Sequence, residues 1–237
     1  MGELRTTFHQ NLAGLSGDVT ALGEQVVALI PRTTTALLAG DLADAGEVMI
    51  VDQQISKQAH ELEDRAVTII ALEGPVAIDL RRLVTMMRIL DEVARSANLL
   101  ANVCRANRRL YGHDLDERVR RVIAAMSDQA ELLYRTAIDS FVEHDGEKAA
   151  MIDEMDSILD GLQREFVQTI FDVHADDLLQ LEVAIQLAVI ARFYERIGDH
   201  AVNIGERIAY MVTGALPEHK GAEIYRTRGL NPSHVID

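Results

Sequence analysis

Ile152-Asp-Glu-Met-Asp-Ser-Ile-Leu-Asp-Gly-Leu-Gln-Arg-Glu-Phe-Val-Gln-Thr-Ile170 decides the fold class. Its apolar residues Ile152, Met155, Leu159, Leu162, Phe166 and Ile170 step by three or four, which places them on one face of a helix; a strand would alternate. The same period returns, with one gap, in Ile190, Ile197, Ala201, Ile204 and Ile208. Prolines stand only at 31, 75, 217 and 232, so the span 76–216 is free of the strongest helix breaker. Helices are predicted at 4–39 (kinked or broken near Pro31), 42–72, 76–110, 115–143, 147–174 and 178–213. The joints carry turn chemistry, as at Gly40-Asp41, Glu73-Gly74-Pro75 and His144-Asp145-Gly146. An all-α chain of six long helices follows.

The pattern also repeats. A shift of 104 residues carries Asp41 onto Asp145, Asp52 onto Asp156, Glu61 onto Glu165, Leu83 onto Leu187 and Asp91 onto Glu195. Core positions follow without a gap, Ile55 to Leu159, Leu62 to Phe166 and Ala66 to Ile170. Short joints make neighbouring helices antiparallel, so each half is expected to be a three-helix bundle around one core. The expected division is 1–111, 112–214 and a flexible C-terminal tail at 215–237, where two prolines interrupt any period.

Of 237 residues, 38 are acidic and 23 are Lys or Arg, a formal charge of −15 that offers no field for a phosphate backbone; nucleic acid is not an expected partner. Cys104 is the single cysteine and lies within a helical run, so a buried thiol in a reducing compartment is expected. The opening MGELRTTFHQ lacks the sections of a signal peptide, and the apolar region from Leu178 to Phe193 is broken by Gln180, Glu182, Gln186 and Arg192. The expectation is a cytoplasmic protein that meets membranes only through partners.

Signals of catalysis are poor. There is no Gly-rich phosphate loop, no G-x-S-x-G and no H-E-x-x-H, and no His follows a Glu by three residues as in di-iron bundle enzymes. What remains is carboxylate spacing. Glu195 and Asp199, and likewise Asp156 and Asp160, are four apart and share a helix face. Random placement of the acids would give about six such pairs, so neither means much alone. The two helices, however, form a hairpin turning near residue 176, and counting back from 199 and 195 reaches 153 and 157. The pairs therefore stand at nearly the same height, with Asp153 one turn below. Stacked like charges call for a cation, and carboxylates without cysteine suit hard or borderline ions.

The run Arg192-Phe-Tyr-Glu-Arg-Ile-Gly-Asp-His-Ala-Val-Asn-Ile204 resembles the last-helix signature of the PhoU family of phosphate-uptake regulators. Pro75-Val-Ala-Ile-Asp-Leu-Arg81 is similar to the start of that family's third helix, as is Phe8-His9-Gln10-Asn11-Leu12 to its opening. The resemblance covers about residues 1–213 and implies paired three-helix bundles with surface metal clusters held by acid-x-x-x-Asp motifs. Carried over, Glu195 and Asp199 match one motif and Asp156 and Asp160 its partner, with Asp153 and Asn203 as additional candidates. The metal would be divalent or ferric: iron, manganese, magnesium, calcium or zinc. His200 is expected to pack or hydrogen-bond between helices rather than ligate. The implied role is non-enzymatic damping of phosphate-starvation signalling, through the ATPase subunit of a phosphate ABC transporter and a sensor histidine kinase, with a second copy of the chain as homodimer partner. A metal-dependent phosphoester hydrolase and a purely structural bundle are the competing readings.

The first half departs from this pattern. The shift sends Glu195 back to Asp91 and Asp156 to Asp52, but Asp199 to Arg95 and Asp160 to Ser56. Each motif loses its second acid, which predicts a degenerate site at Asp52 and Asp91 where Arg95 forms a salt bridge in place of metal.

Overall fold

The computed structural model describes residues 2–215. Seven helices follow in order: α1 (Gly2–Ala39), α2 (Leu42–Glu73), α3 (Ala77–Leu110), α4 (Glu117–Glu143), α5 (Gly146–Ala150), α6 (Ile152–Ala175) and α7 (Leu181–Thr213). No strand occurs among the described residues. Helices α1 to α3 form one antiparallel bundle and α4 to α7 the other, and the bundles pack side by side through α1 against α4 and α3 against α7. Their buried residues make one continuous core. No helix among the described residues is long and apolar enough to cross a membrane. The expected tail lies, from residue 216 onward, outside the described residues.

The duplication is visible in local chemistry. Asp41 Oδ1 accepts hydrogen bonds from the Ala43 and Asp44 amides at 2.9 and 3.0 Å. Asp145 Oδ1, 104 residues later, accepts from Glu147 and Lys148 at the same distances. Each satisfies amides that a helix start leaves without partners. The residue before each cap, Gly40 (φ 64°) and His144 (φ 54°), is left-handed, which reverses the chain in one step.

A pseudo-two-fold axis relates the bundles. Thr34 Oγ1 lies 2.7 Å from Ser127 Oγ, and it is also 2.6 Å from the Tyr194 hydroxyl. The shift turns the Thr34–Ser127 pair into Ile138 and Gly23, and a Cβ on Gly23 would stand 2.3 Å from Ile138 Cδ1. The α1–α4 crossing is therefore made twice, once by a hydrogen bond and once by a glycine seat. Ser96 and His200 map onto each other and touch, Oγ to Nδ1 at 2.9 Å, so they straddle the axis.

Two expectations need correction. Helix α1 runs through Pro31 without interruption. Val26, Val27, Ile30, Thr33 and Thr34 around it are all buried, so packing outweighs the lost backbone hydrogen bond. The expected single helix at 147–174 is instead split at Met151, whose amide is shared between the Glu147 and Lys148 carbonyls at 3.3 Å each. The split lies where α7 presses closest on α5: a Cβ on Gly205 would stand 2.8 Å from the Ala149 carbonyl oxygen. Gly205→Ala should cost about 1–3 kcal/mol, because backbone must move. Gly161→Ala, with open space around it in mid-helix, should gain about 0.5–1 kcal/mol. Urea midpoints of the two variants check the pair; equal shifts would contradict the close contact.

Candidate metal centre

Helix α6 buries Ile152, Leu159, Phe166, Ile170 and Val173, and α7 buries Leu187, Ile190, Tyr194, Ile197, Ala201 and Ile204 on the facing side. Asp156 and Glu195 sit at the rim of this seam, half-buried, while Asp153, Asp160 and Asp199 are exposed. Gly198 lets the helices meet there: a Cβ on it would stand 2.4 Å from Asp156 Oδ1 and 2.6 Å from Leu159 Cδ2. Asp156 thus lies against the α7 backbone at Gly198, and Asp160, Asp199, Asp153 and Glu195 stand near enough to act on its charge.

The electrostatics register that convergence. Burial, then Asp160, Asp199, Asp153 and Glu195 in that order, push the Asp156 carboxyl up to about 6. Glu195 is also raised, first by burial and then by Asp199, while Arg192 works the other way. Arg192 donates to Glu195 Oε1 from the preceding turn. Asp156 Oδ1 and Glu195 Oε2 are both buried with no hydrogen-bond partner. Anionic oxygens left bare in this way are costly, and a cation is the usual remedy. Among the described residues, no three His, Cys, Asp or Glu side chains already stand in a ligating arrangement. The donor types are nonetheless those an oxygen-preferring ion takes: Asp156 and Glu195 carry buried, unpartnered oxygens, and Asp160 and Asp199 are exposed acids beside them.

Asn203 does not belong to this group. Its amide donates to Glu92 Oε1 of α3 at 3.3 Å, which turns it toward the other bundle. Glu92 also approaches His200, whose Nε2 lies 3.8 Å from Oε2. His200 is buried between α3 and α7 on Ser96, as a packing and hydrogen-bonding residue, and burial followed by Arg196 and Arg95 presses it down to about 4. From sequence Glu92 is expected only as an acid that could support metal at the first-half site, and neither Gly198 nor Arg192 is given a role of its own. Gly198 carried a signal, because glycine inside a strongly periodic helix marks a close approach.

The first bundle also differs from expectation. Asp91 pairs with Arg88 at 3.8 Å, and the nearest carboxylate influence on Arg95 is through Glu92. Among the described residues Arg95 forms no such salt bridge; its charge acts instead on Glu92 and His200, at the α3–α7 contact. Asp52 is buried with an unpartnered Oδ1, as Asp156 is, and its pKa is raised by burial against the opposing pull of Arg105 and Asn98. Asp52 thus keeps the seam position of Asp156, with Arg105 and Asn98 favouring its charge in place of neighbouring acids.

The PhoU domain family model matches the chain twice, at residues 19–106 and 123–208, with starting points 104 residues apart. Among curated proteins, the phosphate-specific transport system accessory protein PhoU homolog 1 of Mycobacterium tuberculosis is 30% identical, over 94% of this chain and 100% of its own length. PhoU homolog 2 of the same organism is 33% identical over 90% of this chain and 100% of its own. Among solved structures, PhoU from Pseudomonas aeruginosa superimposes with a TM-score of 0.81 at 24% identity, covering 88% of this chain and 100% of that one. The phosphate transport system regulatory protein PhoU from Streptococcus pneumoniae gives 0.81 at 23%, covering 88% and 98%.

Proposed function

Because the chain belongs to the PhoU family, we propose that it is a non-catalytic regulator accessory to phosphate transport, whose second bundle binds a divalent or ferric ion through Asp156, Asp160, Glu195 and Asp199. The observation that carries the metal reading is the pair of buried, unpartnered oxygens, Asp156 Oδ1 and Glu195 Oε2, on carboxylates whose charges act on one another together with those of Asp160 and Asp199. Metal bound there would neutralise the groove and fix the α6–α7 surface presented to partners. The proposed partners are the ATPase subunit of a phosphate ABC transporter and a sensor histidine kinase in the cytoplasm, met as a homodimer.

Asp199→Ala should abolish stoichiometric metal in elemental analysis while leaving the helical circular dichroism intact, since Asp199 is exposed and apolar burial supports the fold. Equal metal in the variant would sink the assignment. Capture of the two partners by the wild-type chain, from cells grown with and without phosphate, tests the regulatory reading separately. Metal-loaded protein that turned over phosphoesters faster than metal alone would favour a hydrolase instead.

A further inference from the structure

The duplication produces two matching cavities where the bundles meet, and they differ in charge. The first, about 340 Å³, is walled by α1, α3, α4 and α7. The second, about 330 Å³, is its counterpart under the 104-residue shift: His113 answers His9, Arg120 answers Ser16, and Leu37, Gly40 and Asn107 answer Phe141, His144 and Met211. In the second cavity the cation is committed. Arg120 donates to the Leu38 carbonyl at 2.9 Å and stands 4.0 Å from Glu117, and Asp114 adds a carboxylate to the wall.

The first cavity has the opposite balance. Its polar lining is Arg82, His9, His144 and Ser16, and among the described residues no Asp or Glu lines it. Among the described residues Arg82 has no ion-pair partner. The imidazoles are steadied by aromatic neighbours, His9 beside Phe8 with ring centroids 5.2 Å apart and His144 against the edge of Phe141 at 6.4 Å. Beneath them Leu12, Met86, Phe141 and Met211 are buried and form an apolar floor.

We propose that this first cavity is a ligand site for a small phosphate monoester with an apolar body. A guanidinium, two imidazoles and a hydroxyl offer more donors than the two oxygens of a carboxylate use, and they suit the three terminal oxygens of a monoester. Bare inorganic phosphate would leave the floor uncovered, whereas an organic group the size of one ring would bury it. Since α1 and α3 come from one bundle and α4 and α7 from the other, an occupant would bridge the two. A site of this kind couples its ligand to the packing between the bundles, 104 residues out of step with a twin whose arginine is already engaged.

The test uses phenyl phosphate as probe and the full chain in metal-free buffer, followed by calorimetry and by amide chemical shifts. Saturable 1:1 binding is expected, at least tenfold tighter than inorganic phosphate and tenfold tighter than phenol. Arg82→Gln should weaken it at least tenfold, and His144→Gln should also weaken it, both variants retaining wild-type circular dichroism. Gly161→Ala, on α6 with open space around it and away from the cavity lining, should leave the affinity unchanged. Binding of inorganic phosphate as tight as that of phenyl phosphate, an unaltered affinity in Arg82→Gln, or no saturation would each overturn the proposal.

Discussion

Asp156→Asn is expected to abolish metal binding and, in the metal-free chain, to raise stability rather than lower it. The isosteric amide keeps the packing against Gly198 and Leu159 but removes the charge that burial and four neighbouring acids oppose. A pKa lifted from 3.8 to about 6 means that the folded state holds this proton more tightly than the unfolded chain. The favourable contribution is therefore full below about pH 4 and is lost as pH rises through about 6. At neutral pH the ionised group costs the metal-free fold about 1 kcal/mol after solvent screening of a half-buried site. Calorimetry with chelator should give equal melting temperatures for variant and wild type near pH 4, and a variant about 2–4 °C higher at pH 7.5. Metal should reverse the order, stabilising wild type alone. A variant that melts lower at pH 7.5, or that still holds metal, would refute both the strain and the ligand role. Such a trade of stability for binding is what a site maintained for a ligand predicts.

Phe166→Ala should be the most damaging of the substitutions considered, costing about 3–5 kcal/mol. The ring is fully buried at the centre of the second bundle, and its removal leaves a cavity lined by rigid helices. Its counterpart in the first bundle, Leu62, is only partly buried, at the edge of the core. Leu62→Ala should therefore cost about 1 kcal/mol, because less apolar area is withdrawn from contact. Urea denaturation of the two single variants measures the difference. Equal losses would mean that the bundles share the burden of stability evenly, against the packing described above.

Much of the site was readable because a helical hairpin reduces geometry to one dimension. Residues rise by a fixed increment, so equal distances from the turn at residue 176 place 157 and 153 opposite Glu195 and Asp199, next to Asp156 and at Asp153, and the charges of Asp160, Asp199, Asp153 and Glu195 all act on the Asp156 carboxyl. The side chains that went elsewhere share a different circumstance. Arg95, Asn203 and His200 lie on or near the α3–α7 seam, where the choice of partner depends on which helix of the other bundle stands behind them. Alternative ion pairs at a surface differ by less than about 1 kcal/mol, so local spacing cannot choose among them.

Apolar period, proline placement and turn residues determined by themselves that the chain is helical, duplicated at 104 residues and folded into two three-helix halves, because each of these is dictated by interactions within a few turns. Tertiary structure alone decided that α1 is not broken at Pro31, that α5 breaks from α6, that Asn203 serves Glu92, and that in one of two matching cavities the arginine has no ion-pair partner among the described residues. Each of those outcomes is set by groups far apart in sequence meeting where helices pack, within a bundle at Gly205 and Ala149 or between bundles elsewhere, where packing and desolvation outweigh local preference.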